Sequence, residues 1–311
     1  MVDVSIVIVT YNSLPEVEDC LVSIFRFTED VTYEVIVVDN NSPDRNCLSL
    51  ERKYPNVRFL FLPTNNGFGA GCNMGLSLSS GKHVLFLNPD TVLVENSLKS
   101  GVEFMNHQPA AGVISFMIVD ERRVPQMGFG DIPNIRNELL LTLNLEMLVR
   151  RWSLLRKYRH QITRRSPFLV DWVAGACMLV RRTVLQSVGA FDESFFLFYE
   201  DVDLCVRVRA EGWQVYYVPT TTLVHRAGHS TGRNHYLLVT SRYRSKLLYA
   251  KKHLSLFGRL SFSLLSAIGL VIRLLATMWP MFGSPGERNS RRRGYRESLA
   301  YCVRFHLGLL P

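Results

Sequence analysis

The 311-residue chain lacks several signatures that would assign it to common classes of protein. Its six cysteines, Cys20, Cys47, Cys72, Cys177, Cys205 and Cys302, are scattered, with no CxxC pair among them, so a structural zinc site is not expected. Several lie in apolar runs, as reduced core cysteines do, which points to a reducing, cytosolic compartment. There is no Walker lysine motif. The glycine-rich stretch Gly67-Phe68-Gly69-Ala70-Gly71 lacks the GxGxxG spacing and follows the third expected strand, not the first. These absences weigh against P-loop and dinucleotide-binding readings. Residues 1–10 read as a strand, so no signal peptide is expected. The apolar stretch Leu254–Phe282 is interrupted by Arg259 and Arg273, leaving 13 uncharged residues between them. About 20 are needed to span a bilayer. Acidic residues are scarce at one end only. Residues 251–311 carry ten Lys/Arg and two Glu, a net +8, whereas residues 1–250 carry 26 Lys/Arg against 25 Asp/Glu.

The first half alternates buried strands with amphipathic helices. Val4–Val9, Glu34–Val38, Val57–Leu62, His83–Leu87 and Ala111–Phe116 read as strands. Pro15 opens a helix to about Arg26, with Val17, Leu21, Ile24 and Phe25 expected inward, and another helix follows Gly71 through Ser79. This order predicts an α/β fold with a mostly parallel sheet and flanking helices. In such sheets ligands bind beyond the carboxyl ends of the strands. Four polar clusters stand there: Thr10–Asn12, Asp39–Ser42, Asn65–Gly71 and Asn88–Asp90. They are expected to converge on one rim.

Further on, Arg150–Arg165 holds seven Lys/Arg and no acid, with Trp152 and Tyr158 interleaved, and reads as a surface-binding segment or a solvated helix. Val170–Val180 is apolar, with small residues beside Trp172. Trp213–Val218 reads as a strand leading through Pro219 to His225. Phe191–Arg209 sets Asp192, Glu200, Asp201 and Asp203 among Phe195, Phe196, Phe198 and Tyr199, with helical character from Val202. A carboxylate at a helix mouth beside aromatic walls is a candidate general base; helix capping is the plainer alternative. Tyr236–His253 reads as helix. The apolar run after it, with Trp279 and the arginines at 288, 291, 292, 293 and 296, fits a helix lying at a membrane interface, or a helical lid packed on the body. No nucleic-acid-binding module accompanies those arginines.

Seven stretches, in order, carry a resemblance: VSIVIVTYN (Val4–Asn12), VIVVDNNS (Val35–Ser42), NNGFGAGCNMG (Asn65–Gly75), LFLNPD (Leu85–Asp90), AGACMLVRR (Ala174–Arg182), GAFDESFFLFYEDVDLCVRVRAEGW (Gly189–Trp213) and VHRAGHS (Val224–Ser230). Over residues 1–230 the chain resembles the family-2 inverting glycosyltransferases of the GT-A (Rossmann-like) fold, and more narrowly the bacterial rhamnosyltransferases. The resemblance implies a glycosyltransferase domain over 1–235, with a nucleotide-binding half at about 1–118 and an acceptor half at about 166–235. A helical extension over 236–311 follows. It implies that Thr10, Tyr11, Asn12 and Asp39 hold base and ribose, and that Asn65, Gly67, Phe68 and Asn73 line the donor. Asn88-Pro89-Asp90 occupies the place of the Asp-x-Asp metal motif, with Asn88 a departure at its first acidic position. Asp90 and His225 would then ligate Mg2+ or Mn2+, with His229 a weaker candidate. Asp201 would be the catalytic base with Glu200 beside it, and Trp172, Glu200 and Asp203 would meet the acceptor. The implied activity is transfer of a sugar, L-rhamnose from dTDP-rhamnose as first choice, to a cell-envelope or lipid-linked glycan by a peripheral protein on the inner face of the cell membrane. UDP-galactofuranose, UDP-N-acetylglucosamine and UDP-glucose are alternative donors, and a non-catalytic nucleotide-sugar-binding scaffold is a further alternative.

Overall fold

The computed structural model describes residues 2–43, 47–142, 160–226, 235–278 and 284–309. The basic stretch 150–159 and His229 lie outside the described residues. The strands are β1 (Val4–Thr10), β2 (Tyr33–Asp39), β3 (Val57–Phe61), β4 (His83–Leu87), β5 (Thr91–Leu93), β6 (Ala111–Val119), β7 (Phe129–Gly130), β8 (Phe168–Leu169), β9 (Trp172–Val173), β10 (Cys177–Arg181) and β11 (Gln214–His225). The helices are α1 (Leu14–Phe27), α2 (Cys47–Lys53), α3 (Phe68–Ser77), α4 (Ser97–His107), α5 (Ile135–Thr142), α6 (Arg182–Val188), α7 (Glu200–Ala210), α8 (His235–His253), α9 (Leu256–Ala276) and α10 (Pro285–His306).

Two compact units emerge. The first holds the described residues up to Ile132, His160–Phe196, and those from Glu200 to Arg226; the second holds those from Pro133 to Thr142, Leu197–Tyr199, and those from His235 on. The first is built on one sheet in the order β3-β2-β1-β4-β10-β6-β11-β5, with β8 added on β11. β3, β2, β1 and β4 pair in parallel, as do β6 and β11. β10 runs antiparallel to both its neighbours, and β5 and β8 run antiparallel to β11. The sheet is therefore mostly parallel, as expected, with reversed members on the β11 side.

β1 and β4 are buried along their whole length, because helices cover both faces of a parallel sheet. α1 buries Val17, Cys20, Leu21 and Ile24 against this core. Phe25, expected inward, is 40 % exposed and stacks on Tyr54 instead. It stands one residue, about 100° of helix, round from Ile24, and Cys20 completes the stripe. β11 continues seven residues past the expected end at Val218. Pro219 lacks an amide proton, and the register shifts between Val218 and Thr222, so the strand absorbs it as a bulge. The bulge matters, because it carries the strand on to His225, opposite Thr91.

The second unit packs α8, α9 and α10 around Tyr243, Leu247, Leu270 and Cys302. α5 joins them through a buried polar cluster. Lys246 Nζ contacts Glu138 Oε1, Ser266 Oγ donates to the same oxygen at 2.8 Å, and Arg273 donates to the Leu141 carbonyl at 2.7 Å. Cys20, Cys72, Cys177, Cys205 and Cys302 are free and buried.

Candidate active site

The register of the sheet brings the polar clusters to one edge. Thr10 and Asp39 are directly opposite each other at the ends of β1 and β2. Leu87, just before Asn88, pairs with Cys177, which follows Ala174-Gly175-Ala176. His225 ends β11 next to Thr91. Thr10, Asp39, Asn88, Asp90, Gly175 and His225 thus share one rim, the place where parallel strands leave room for a ligand.

At one corner of this rim Ser42 donates both its hydroxyl and its amide to Asp39 Oδ1, and Asn12 N donates to the Ser42 hydroxyl at 2.8 Å. One oxygen of Asp39 is therefore fixed from within the loop. The other is left to accept from a ligand imide or hydroxyl. The Thr10 hydroxyl is buried without a hydrogen-bond partner, and Tyr11 is 41 % exposed.

The glycine-rich loop is fixed by Asn40. Its amide donates to Asn65 Oδ1 and to the Gly67 carbonyl, each at 2.9 Å, while Gly67 N donates to Asn65 Oδ1 at 3.0 Å. Gly67 has φ +96°, and a Cβ there would lie 2.2 Å from the Phe196 carbonyl oxygen. Only glycine accepts both conditions. Phe68 N donates to the same carbonyl at 2.9 Å, closing the loop onto the segment that leads to α7.

Asn65 and Asn73 depart from their expected place facing the donor. The Asn65 side-chain oxygen is occupied as above. The Asn73 amide bridges α3 to the 191–193 segment, donating to the Phe191 carbonyl and to Glu193 Oε1 and accepting from Phe191 N at 3.0 Å. Both residues build the walls of the site from behind. Asp203, expected at the acceptor, is buried and bonded to Arg207 Nε at 2.8 Å. Arg207 in turn donates to the carbonyls of Val188 and Ala190, each at 2.7 Å. Asp203 therefore anchors α7 through Arg207. Trp172 donates to the Asp131 carbonyl at 2.9 Å and lies against Gly130, where a Cβ would come within 2.8 Å of its ring.

Two carboxylates open α7. Phe198 and Tyr199 just before it both take left-handed backbone, φ +69° and +68°, which costs a non-glycine residue of order 1 kcal/mol or more. Asp201 Oδ2 accepts from Gly175 N at 2.9 Å and Oδ1 from Val202 N at 2.8 Å. Burial raises the Asp201 carboxyl above its ordinary value, and these amides pull partly against that. Glu200 is buried, with Oε2 in no hydrogen bond. Burial first, and then the charge of Asp201, push it well above the usual carboxylate range. Both carboxyls of this adjacent pair are thus shifted in the same direction, toward the protonated form.

At the other end of the rim, Asp90 Oδ1 is buried without a hydrogen bond, and His225 Nε2 lies 3.2 Å from it. An unsatisfied buried carboxylate oxygen beside an imidazole nitrogen fits a divalent cation. Among the described residues no group of three or more His, Cys, Asp or Glu side chains is placed to hold a metal. A cation here would take two protein ligands and complete its shell from a bound diphosphate. Asn88 contributes its backbone: its amide donates to the Ala176 carbonyl at 3.0 Å, and its carbonyl accepts from Thr91 N at 3.1 Å, forming the turn that presents Asp90. Motif reading passed over Gln126, which bonds to both the ring and the carbonyl of His225. It lies 99 residues from that histidine in a loop without any motif, so only the fold reveals it.

Comparison with known proteins gives this arrangement its context. The family model for glycosyl transferase family 2 matches residues 5–189. The N-acetylglucosaminyl-diphospho-decaprenol L-rhamnosyltransferase of Mycobacterium tuberculosis is 30 % identical over 261 residues, 80 % of this chain and 84 % of that protein. The rhamnosyltransferase WbbL of Escherichia coli is 25 % identical over 214 residues, 65 % of this chain and 75 % of the relative. Among solved structures, the mannosyltransferase PcManGT from Pyrobaculum calidifontis, in complex with GDP-Man and Mn2+, superposes with a TM-score of 0.53 at 15 % identity, covering 98 % of this chain and 86 % of that one. At that identity the likeness speaks for the fold, which is the GT-A glycosyltransferase fold. With more than half of its length matched, the chain belongs to glycosyl transferase family 2.

Proposed function

We propose that this glycosyltransferase moves L-rhamnose from dTDP-rhamnose to a lipid-linked or cell-envelope glycan with inversion at the anomeric carbon. The observation that supports the chemistry is Asp201, held by two backbone amides at the mouth of α7 with its affinity for protons raised. The rhamnosyl donor is favoured by the relatives named above and by the dTDP-rhamnosyl transferase RfbF of Shigella flexneri, 26 % identical over 71 % of this chain.

In this reading Asp39, Thr10 and Asn12 hold the nucleoside. Asp90 and His225 would hold a divalent cation, which would supply neutralisation of the charge that grows on the leaving diphosphate. The acceptor hydroxyl attacks the anomeric carbon from the face opposite the diphosphate. The new C–O bond forms as the bond to the diphosphate oxygen breaks, and the hydroxyl proton passes to Asp201. Glu200 contacts the acceptor beside Asp201, and Trp172 gives it an apolar wall. Calorimetry with dTDP-rhamnose against UDP-galactofuranose, UDP-N-acetylglucosamine and UDP-glucose, each with and without Mn2+, tests the donor. The expected result is at least about tenfold preference for dTDP-rhamnose, about 1.4 kcal/mol. Preference for a UDP-sugar would overturn the sugar, and absence of any donor binding would overturn the activity.

The acceptor reading places the protein at the cytoplasmic face of a membrane. The support is α9. It is 21 residues long and apolar enough to cross a membrane by length and composition, with Arg273 inside it. Its apolar residues are one-sided: Phe257, Leu260, Leu264, Ile268, Val271 and Leu275 are exposed at helical spacing, Phe257 by 76 %, whereas Phe262, Ser266 and Leu270 are buried. Such a ridge, with ten Lys/Arg against two Glu in residues 251–311, suits a helix lying in the interface of an anionic bilayer. In flotation assays the protein should rise with vesicles containing phosphatidylglycerol. Phe257→Asp with Leu264→Asp should abolish this. A wild-type protein that stays at the bottom of the gradient would contradict it.

A further inference from the structure

Gln126 forms two hydrogen bonds with one residue. Its Nε2 donates to the His225 carbonyl at 2.8 Å. A carbonyl can only accept, so this end of the amide is the NH2 group. The other end, Oε1, lies 2.8 Å from His225 Nδ1. An amide oxygen can only accept, so Nδ1 carries the hydrogen. With Nδ1–H held in that bond, a metal-binding imidazole uses Nε2. Nε2 lies 3.2 Å from Asp90 Oδ1, itself buried.

We infer that Gln126 is a positioning residue: it fixes the tautomer and ring plane of His225 so that Nε2 and Asp90 share one divalent cation. This rests on the cation reading above and adds the element that orients its nitrogen ligand. The support is built on both sides of the ring. Gln126 is anchored by its own amide, which donates to the Ile118 carbonyl at 2.8 Å, and by Gly128 N, which donates to the Gln126 carbonyl at 3.0 Å. Val119 and Pro125 bridge across the loop. Beyond His225, Arg226 N donates to the Asp90 carbonyl at 2.9 Å, and the Arg226 guanidinium contacts Asp19 and Glu121. These bonds hold the strand end on both sides, and Gln126 selects which ring nitrogen bears the proton. Outer partners of this kind orient metal-binding histidines generally, and their loss costs metal affinity.

The test uses Gln126→Leu and Gln126→Glu in the full chain. Mn2+ is titrated in the presence of saturating dTDP, and free Mn2+ is read by electron paramagnetic resonance. Gln126→Leu should weaken Mn2+ binding about 10- to 100-fold. Gln126→Glu, whose carboxylate still accepts from Nδ1–H but loses the bond to the His225 carbonyl, should bind Mn2+ more tightly than Gln126→Leu. Thermal unfolding of both variants separates this effect from a loss of fold. Nitrogen-15 spectra of the metal-free wild type at about pH 8, where an unperturbed imidazole is neutral, should show His225 protonated at Nδ1. Mn2+ uptake that Gln126→Leu leaves unchanged would overturn this inference alone, as would a His225 proton on Nε2. A wild-type protein that takes up no Mn2+ would overturn the cation reading and this inference together.

Discussion

Replacing Asp201 by Asn is expected to lower kcat by about 10²- to 10⁴-fold, the usual contribution of a general base. Donor affinity should stay within a few-fold of wild type, because the corner proposed to hold the nucleoside, at Thr10, Asn12 and Asp39, belongs to β1, β2 and the loops that follow them. The asparagine keeps the volume and accepts from one of the two amides, of Gly175 or of Val202, while its NH2 replaces the acceptor of the other. What it loses is the lone pair that takes the hydroxyl proton. Steady-state rates together with calorimetric donor binding check both halves. The sign of the pH dependence follows from the same residue. A base works only when deprotonated, and burial raises the pKa of Asp201. Activity should therefore be lost as pH falls through that raised value, placing the acid limb of kcat/KM above the ordinary aspartate value of about 3.9. An acid limb at or below the ordinary value would separate the limb from Asp201.

The second large effect lies in the helical unit and concerns stability. Lys246 and Glu138 form a buried pair with side-chain exposures of 7 % and 2 %. Burial lowers the Lys246 pKa and raises that of Glu138, so each depends on the other to stay charged. Lys246 also lies over the Tyr243 and Phe262 rings, at 5.1 and 5.4 Å. Lys246→Met leaves Glu138 with the Ser266 hydroxyl donating to Oε1 and with its Oε2 still unbonded. Removing one member of a buried pair costs about 3–5 kcal/mol. Urea unfolding followed by far-UV circular dichroism should show that loss for Lys246→Met. The double variant Glu138→Leu with Lys246→Met should recover most of it, since no charge is then left buried. A single variant within about 1 kcal/mol of wild type would show that water reaches the pair, since exposed pairs contribute no more than this.

Much of the catalytic unit was legible in the sequence, for a physical reason. Strands covered on both faces are written as unbroken apolar runs, so β1, β2 and β4 stand out at once, and the polar residues that follow them mark the rim. The convergence of Thr10, Asp39 and Asn88 then follows from parallel register, and Gly175 joins them because the antiparallel β10 starts at the edge where β4 ends. The role of each polar side chain was less legible. Asn65, Asn73 and Asp203 carry the right groups to touch a ligand, yet their bonds run to Gly67, Phe191 and Arg207. Composition and spacing do not distinguish a side chain facing a ligand from one that holds the loop behind it. Pro219 hid the length of β11 because a bulge, a pairing feature, rescues it. Gln126 was invisible for the same reason: its partner is set by topology and not by local pattern. In the helical unit, α5 belongs with α8, α9 and α10 through Glu138, a link across more than 100 residues that periodicity does not carry.

The measurement that bears most directly on the account is the anomeric configuration of the product, read by nuclear magnetic resonance after transfer from dTDP-rhamnose to an acceptor. A single displacement with Asp201 as base predicts inversion: the linkage formed has the configuration opposite to that of the donor. A product with the donor's configuration would require a step this site is not proposed to perform, and would contradict the role assigned to Asp201.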